Sequence, residues 1–149
     1  MNGIQVLVAG SDVESGAILE DILLGCGVNP LIASSLEEVR IVLLYRPVHL
    51  IFCEDRLPGG DLYDILRLTQ TTHPEVLVVL TSLLGAWEEY LEAMQLGAFD
   101  FITPPYRTED VVSIVDNVCR ERNTKDSGLL LRSYRNAAKA NDGARRYAL

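Results

Sequence analysis

Leu50-Ile51-Phe52-Cys53 is an apolar run that delivers the carboxylate of Glu54, with Asp55 beside it and Pro58 four residues after Glu54. Such a run reads as a buried strand, and an acid at its C-terminal end sits where open α/β sheets hold their sites, one chemistry open to a carboxylate there being to accept a phosphoryl group. Transfer onto a carboxylate needs a divalent cation to neutralise the charge that gathers between donor and acceptor. Mg²⁺ in turn wants near-octahedral oxygens, normally supplied by carboxylates. The neighbouring apolar run, Val6 to Ala9, ends instead in Gly10, which has no side chain, Ser11, which is neutral, and Asp12. A third run, Val76 to Leu80, ends in the hydroxyls of Thr81 and Ser82. Side chains alternate along a strand, so Asp55 is expected on the face opposite Glu54. Arg56 could pair with Glu54 and stand in for a metal, provided the backbone turns it inward.

Strands and helices must alternate to bring these runs together, and the apolar spacing says that they do. Ser11-Asp12-Val13-Glu14 has capping-box spacing, so Ser11 is expected to cap a helix running to about Gly25; no base is placed to make it a nucleophile. A short strand at 30–33 precedes a helix that buries Leu36, Val39 and Leu43. Asp61 opens a third helix that packs Leu62, Ile65 and Leu66. Trp87, Tyr90, Leu91 and Met94 follow a helical pattern in which Leu91 and Met94 suit the core. Trp87 and Tyr90 are the candidate partner surface. Thr108 caps a last helix whose Val111, Ile114, Val115 and Val118 lie on one face. If the ends of the first and third strands adjoin, Gly10, Ser11, Asp12 and Glu54 meet there.

The chain has 149 residues, 48% of them hydrophobic, enough for a substantial core. Its apolar runs are too short to span a membrane, and its start lacks a signal-peptide pattern. Three cysteines, Cys26, Cys53 and Cys119, are scattered without metal-type spacing, which suggests reduced thiols and a cytoplasmic location. From Arg120 onward eight basic residues face three acids, whereas the rest of the chain holds five basic residues and eighteen acids. A basic tail therefore follows an acidic body. Within the tail Leu130, Tyr134 and Ala138 recur every fourth residue, which predicts an amphipathic helix over 128–141.

Taken in order, these landmarks resemble the receiver domain of two-component response regulators over residues 1–122, with 123–149 as a basic helical extension. The resemblance implies a flavodoxin-like, doubly wound α/β fold with five parallel strands in the order 2-1-3-4-5, plus an extra C-terminal helix. It implies that Glu54 occupies the phospho-acceptor place, which is an aspartate in the family. Gly10, Ser11 and Asp12 fall on the acidic pocket, and Thr81 and Phe101 on the switch hydroxyl and the rotating aromatic. The family's lysine falls on Pro104, followed by Pro105, with a cis bond expected between them. The stretch from Thr81 to Gly97 is one residue longer than usual, the extra residue falling in 82–86.

Glu54 extends its carboxylate by one methylene, about 1.5 Å, so in-line attack is misplaced, and Pro104 removes a cation. The implied function is a non-phosphorylated, degenerate receiver that acts by protein–protein contact rather than as an enzyme, without a cofactor and with weak or absent Mg²⁺ binding. Its partners would be a signalling protein and a second copy joined through residues 128–141. Three roles stand open for Glu54: imitation of a phosphorylated aspartate acting through Thr81, pairing with Arg56, or a solvated strand-end acid. The other readings are a working receiver that takes phosphate on Glu54 or Asp55, and a nucleic-acid-binding regulator acting through the tail. The second is weakened by the acidic body and the lack of a helix-turn-helix pattern. A flavin or nucleotide enzyme is disfavoured because no GxGxxG loop follows the first strand.

Overall fold

Residues 3–123 are described in a computed structural model of the chain. In chain order the elements are β1 (Val6–Ala9), α1 (Val13–Gly25), β2 (Leu31–Ala33), α2 (Leu36–Tyr45), β3 (Leu50–Glu54), β4 (Arg56–Leu57), β5 (Gly60–Asp61), α3 (Leu62–Thr72), β6 (Leu77–Thr81), α4 (Trp87–Gln95), β7 (Asp100–Ile102) and α5 (Thr108–Asn123). Five strands make one parallel sheet in the order β2-β1-β3-β6-β7, and β4 pairs with β5 as a separate small hairpin. Without the hairpin that order is the 2-1-3-4-5 winding expected of the flavodoxin-like fold.

Both faces of the sheet are covered, which is why its central strands are apolar at every position rather than at alternate ones. Leu7, Ala9, Ile51, Cys53, Val78, Leu80 and Phe101 point into a core shared with α2, α3 and α4. Val6, Val8, Leu50, Phe52, Leu77, Val79 and Ile102 point the other way, onto α1 and α5. The expected stripes of α2, α3 and α5 lie on these cores, including Val39, Leu43, Ile65, Leu66, Val111, Ile114, Val115 and Val118.

Three expectations need correction. Asp12, not Ser11, is the cap of α1: its carboxylate accepts from Ser15 N at 3.3 Å. Leu91 is exposed, because α4 turns Tyr90, Ala93 and Met94 toward the sheet and Leu91 lies about 100° round the helix from Tyr90. Tyr90 is fully buried and so is not itself a surface for a partner.

Loops fix the strand ends near the site. The hairpin turns through Gly59 at φ +98°, and Leu36 N donates to Pro58 O at 3.0 Å, tying that turn to the start of α2. Asp61 then caps α3 in a capping box with Asp64. On the other side Ser82 Oγ accepts from Leu84 N and Gly85 N, both at 3.3 Å. The peptide between Pro104 and Pro105 is cis, as expected.

α5 ends beside the start of the chain, where the Arg122 guanidinium donates to Gly3 O at 3.0 Å. The helix expected over 128–141, and the homodimer through it, lie outside the described residues. Among those described, no helix is long and apolar enough to cross a membrane.

Candidate functional site

The C-terminal ends of β1, β3 and β6 lie side by side, with Ala9 opposite Cys53 and Glu54 opposite Thr81 in the ladder. Parallel pairing in this register carries Gly10, Ser11, Asp12, Glu54 and Thr81 to one edge, and the meeting of the first four is what the receiver-like strand order implies.

Glu54 turns back across that edge. One carboxylate oxygen accepts from Ser11 N at 3.0 Å and, at 3.4 Å, from the Ser11 hydroxyl. The other accepts from Asp12 N at 3.1 Å. Amides at the start of a helix are natural anion sites, and here the anion is the protein's own. Gly10 makes this possible: a Cβ there would lie 2.5 Å from Glu54 Oε2 and 2.7 Å from its Cδ. The carboxylate thus fills the space a side chain at position 10 would need.

A cleft of about 930 Å³ opens over this edge, lined by Ser11, Asp12, Glu54, Asp55, Arg56, Thr81, Ser82, Leu83, Leu84, Glu89 and Tyr106 among others. Asp55 therefore shares the cleft with Glu54, contrary to the alternation argument, because β3 has ended and the chain turns at Asp55. Arg56 is exposed on the hairpin and forms no ion pair with Glu54 among the described residues. Pro104 lines a separate depression with Phe101, Pro105 and Tyr106.

Thr81 is buried, and its hydroxyl is in hydrogen-bond contact with the Tyr106 phenol. Burial pushes the Tyr106 pKa up, the Thr81 contact opposes this, and the negative charges of Glu54 and Asp12 add to the rise. Cys53, directly beneath Glu54, is held as a thiol by its burial and then by the negative charges of Glu54 and Asp55. Phe101 is buried and meets the Tyr90 ring edge-on, with centroids 5.8 Å apart. Tyr90 in turn stacks on the half-buried Trp87 at 5.4 Å.

No protein-family model matches the chain. Over 91 residues it is 31% identical to the response regulator PilR of Pseudomonas aeruginosa, an alignment covering 61% of this chain and 20% of that protein. An NtrX-like response regulator of Rickettsia bellii is 25% identical over 135 residues, covering 89% of this chain and 28% of the relative. The chain thus matches less than a third of the length of either relative. Among solved structures, the receiver domain of NtrX from Brucella abortus superposes with a TM-score of 0.71 at 25% identity, covering 76% of this chain and 96% of that one. The described residues have the fold of response-regulator receiver domains. A second receiver, the beryllofluoride-activated NtrC4 receiver domain dimer, shares the fold with a TM-score of 0.73 at 21% identity, covering 78% of this chain and 97% of that one.

In this receiver the residues at the metal position do not fit Mg²⁺. Gly10 offers no ligand, and the Ser11 amide and hydroxyl are both engaged by Glu54. Both oxygens of Glu54 already accept hydrogen bonds. Among the described residues no three His, Cys, Asp or Glu side chains are grouped to hold a metal ion.

Sequence reasoning missed Tyr106 and Glu89. Tyr106 follows the Pro104-Pro105 bend, and an aromatic placed just past a rigid turn beside the site was the available signal. Glu89 had none, since it reaches the cleft from the first turn of α4. Its pKa is pushed up to about 7, first by desolvation and then by a hydrogen bond to Asp55, against a hydrogen bond from Ser82; the charges of Asp55 and Glu92 raise it further.

The folded receiver therefore holds a proton on Glu89 that the unfolded chain releases near pH 4.5. Stability should fall as pH rises from about 4.5 to about 7 and level off above that. Solvent screening at this partly open position keeps the Glu89 contribution to roughly 1 kcal/mol or less. Urea midpoints measured across that range should lose this decline in Glu89→Gln. An identical pH profile in the variant would show that Glu89 is not the group responsible.

Proposed function

We propose that this receiver does not take phosphate, and acts as a fixed protein-interaction module within two-component signalling. The observation that carries the reading is Glu54 seated on the Ser11 and Asp12 amides, in the space of a side chain at position 10. An acceptor must present an unencumbered oxygen in line with the incoming phosphorus, whereas each oxygen of Glu54 is turned into its own domain. The negative charge that phosphorylation would bring to this edge is already present there. Thr81 and Tyr106 lie at the same edge, so Glu54 acts as a permanent counterpart of a phosphorylated acceptor. The output is read by a signalling protein on the side of α4, where Trp87 is half-buried and Leu83 and Leu84 are exposed.

The second reading, a receiver phosphorylated by an altered route, draws on Asp55, which lines the same cleft. Its hydrogen bond to Glu89 counts against that role, as does the lack, among the described residues, of a metal-binding group beside it. A nucleic-acid-binding role would rest on the tail, outside the described residues.

Incubation with acetyl phosphate and Mg²⁺ should leave the intact mass unchanged, and titration should find no Mg²⁺ site tighter than millimolar, about 4 kcal/mol of binding. A stoichiometric gain of one phosphoryl group, abolished by Glu54→Gln or by Asp55→Asn, would sink the proposal and name the acceptor.

A further inference from the structure

α2 carries apolar side chains on both of its faces. Val39 and Leu43 are buried against the sheet, while Ile41, Leu44 and Tyr45 point to solvent at 46%, 66% and 79% exposure. At about 100° per residue, Tyr45 lies about 40° to one side of Ile41 and Leu44 about 60° to the other, so the three adjoin with no charged side chain between them. The ends of this strip are charged, and they differ in sign. Glu37 and Glu38 stand on the first turn, and Arg46 is the residue that closes the helix. Arg46 is exposed and forms no ion pair among the described residues, whereas Arg40, on the flank of the strip, is held by Glu37. Past Tyr45 the strip opens into a hollow of about 390 Å³ lined by Leu44, Tyr45, Arg46, Pro47, His73 and Glu75 among others. This hollow lies before β3 begins, at the end of the sheet away from Glu54.

We propose that a second copy of this chain covers the strip, its α2 running antiparallel to the first across a two-fold axis close to Ile41. Charge carries the choice of occupant. An interface of this kind uses one surface on both copies, so that surface must be its own complement, and a helix acidic at its start and basic at its end meets the condition. The antiparallel arrangement sets Glu38 of one copy level with Leu44 of the other and beside its Arg46, and the two-fold axis repeats the contact. A parallel copy would instead set Glu38 against Glu38 and Arg46 against Arg46. The hollow beside Arg46 leaves room for the first turn of the facing helix. Elsewhere the body opposes self-association, since eighteen acids face five basic residues before Arg120. Two of those five, Arg40 and Arg46, stand at α2, so like charge opposes a second copy least on this face. A helix of ten residues is about 15 Å long, which is small beside the ~800 Å² per partner of a standard interface, so the association expected is weak, with a Kd of about 10–100 µM. The inference depends neither on whether Glu54 takes phosphate nor on the residues after Asn123.

The test is sedimentation equilibrium of the full-length chain from about 1 µM to about 1 mM, a range that brackets the expected Kd. The native chain should pass from monomer to dimer across it. Leu44→Asp should weaken the dimer roughly tenfold or more, whereas Leu24→Asp on α1 should leave it unchanged. Glu38→Arg places a second cation beside Arg46 of the facing copy, and Arg46→Glu places a second acid beside Glu38, so each variant alone should associate more weakly than the native chain. An equimolar mixture of those two variants should associate as tightly as the native chain, because opposite charges then meet at both ends of the pair. All four positions are exposed, and urea midpoints check that each variant folds. A chain that stays monomeric at about 1 mM overturns the proposal and leaves the strip to a different protein. So does a dimer that Leu44→Asp leaves intact, which is held elsewhere, and so does a mixture no tighter than its two components, which rules out the antiparallel pairing.

Discussion

Replacing Tyr90 by alanine should destabilise the domain by about 3–5 kcal/mol, the range for emptying a large aromatic from a core. Tyr90 has no solvent exposure and lies between Trp87 and Phe101, so it joins α4 to β7 through two ring contacts. Trp87→Ala removes only the outer ring of that stack and should cost a fraction as much. The pair separates folding from recognition. A partner that reads α4 should lose affinity in Trp87→Ala while the urea midpoint moves little, and Tyr90→Ala should move the midpoint first. If Tyr90→Ala unfolds at nearly the native midpoint, the packing described for α4 is wrong.

The second large effect is a coupling rather than a loss. Gly10→Ala places a methyl group where Glu54 Oε2 now lies, 2.5 Å from the Cβ position. The carboxylate must leave, and its charge-assisted bonds to the Ser11 and Asp12 amides go with it. Water can solvate those amides at this open edge, so the net cost should be about 1–2 kcal/mol rather than the full value of two charged hydrogen bonds. In a Glu54→Ala background the same Gly10→Ala change should be close to neutral. Chemical denaturation of the four proteins in this cycle measures the interaction directly. Equal costs of Gly10→Ala in the two backgrounds would mean that the two residues are independent.

The sheet was legible because a parallel strand buried on both faces writes itself as an unbroken apolar run, and Leu50 to Cys53 is such a run. The meeting of residues 10–12 with Glu54 followed from strand order. What the meeting looked like did not follow, because the Gly10–Glu54 contact joins residues 44 positions apart and depends on one side-chain rotamer. Ser11 and Asp12 are both good caps one residue apart, and only the path of the backbone chose Asp12. Alternation failed at Asp55 because it holds only while the strand lasts. Tyr90 was misread since an aromatic in the first turn of a helix can face either way until the angle of α4 on the sheet is known. Glu89 carries no local mark at all, as its raised pKa comes from residues in other elements.

The fit between Gly10 and Glu54 also shapes which sequences lie within reach of this one. An acidic side chain placed at position 10 alone collides with Glu54. Shortening Glu54 to aspartate alone withdraws the carboxylate from the Ser11 and Asp12 amides. Each single step toward a metal-binding edge is therefore a step down, although the double change removes the collision. Such a pair works as a mutational ratchet: each residue holds the other in place.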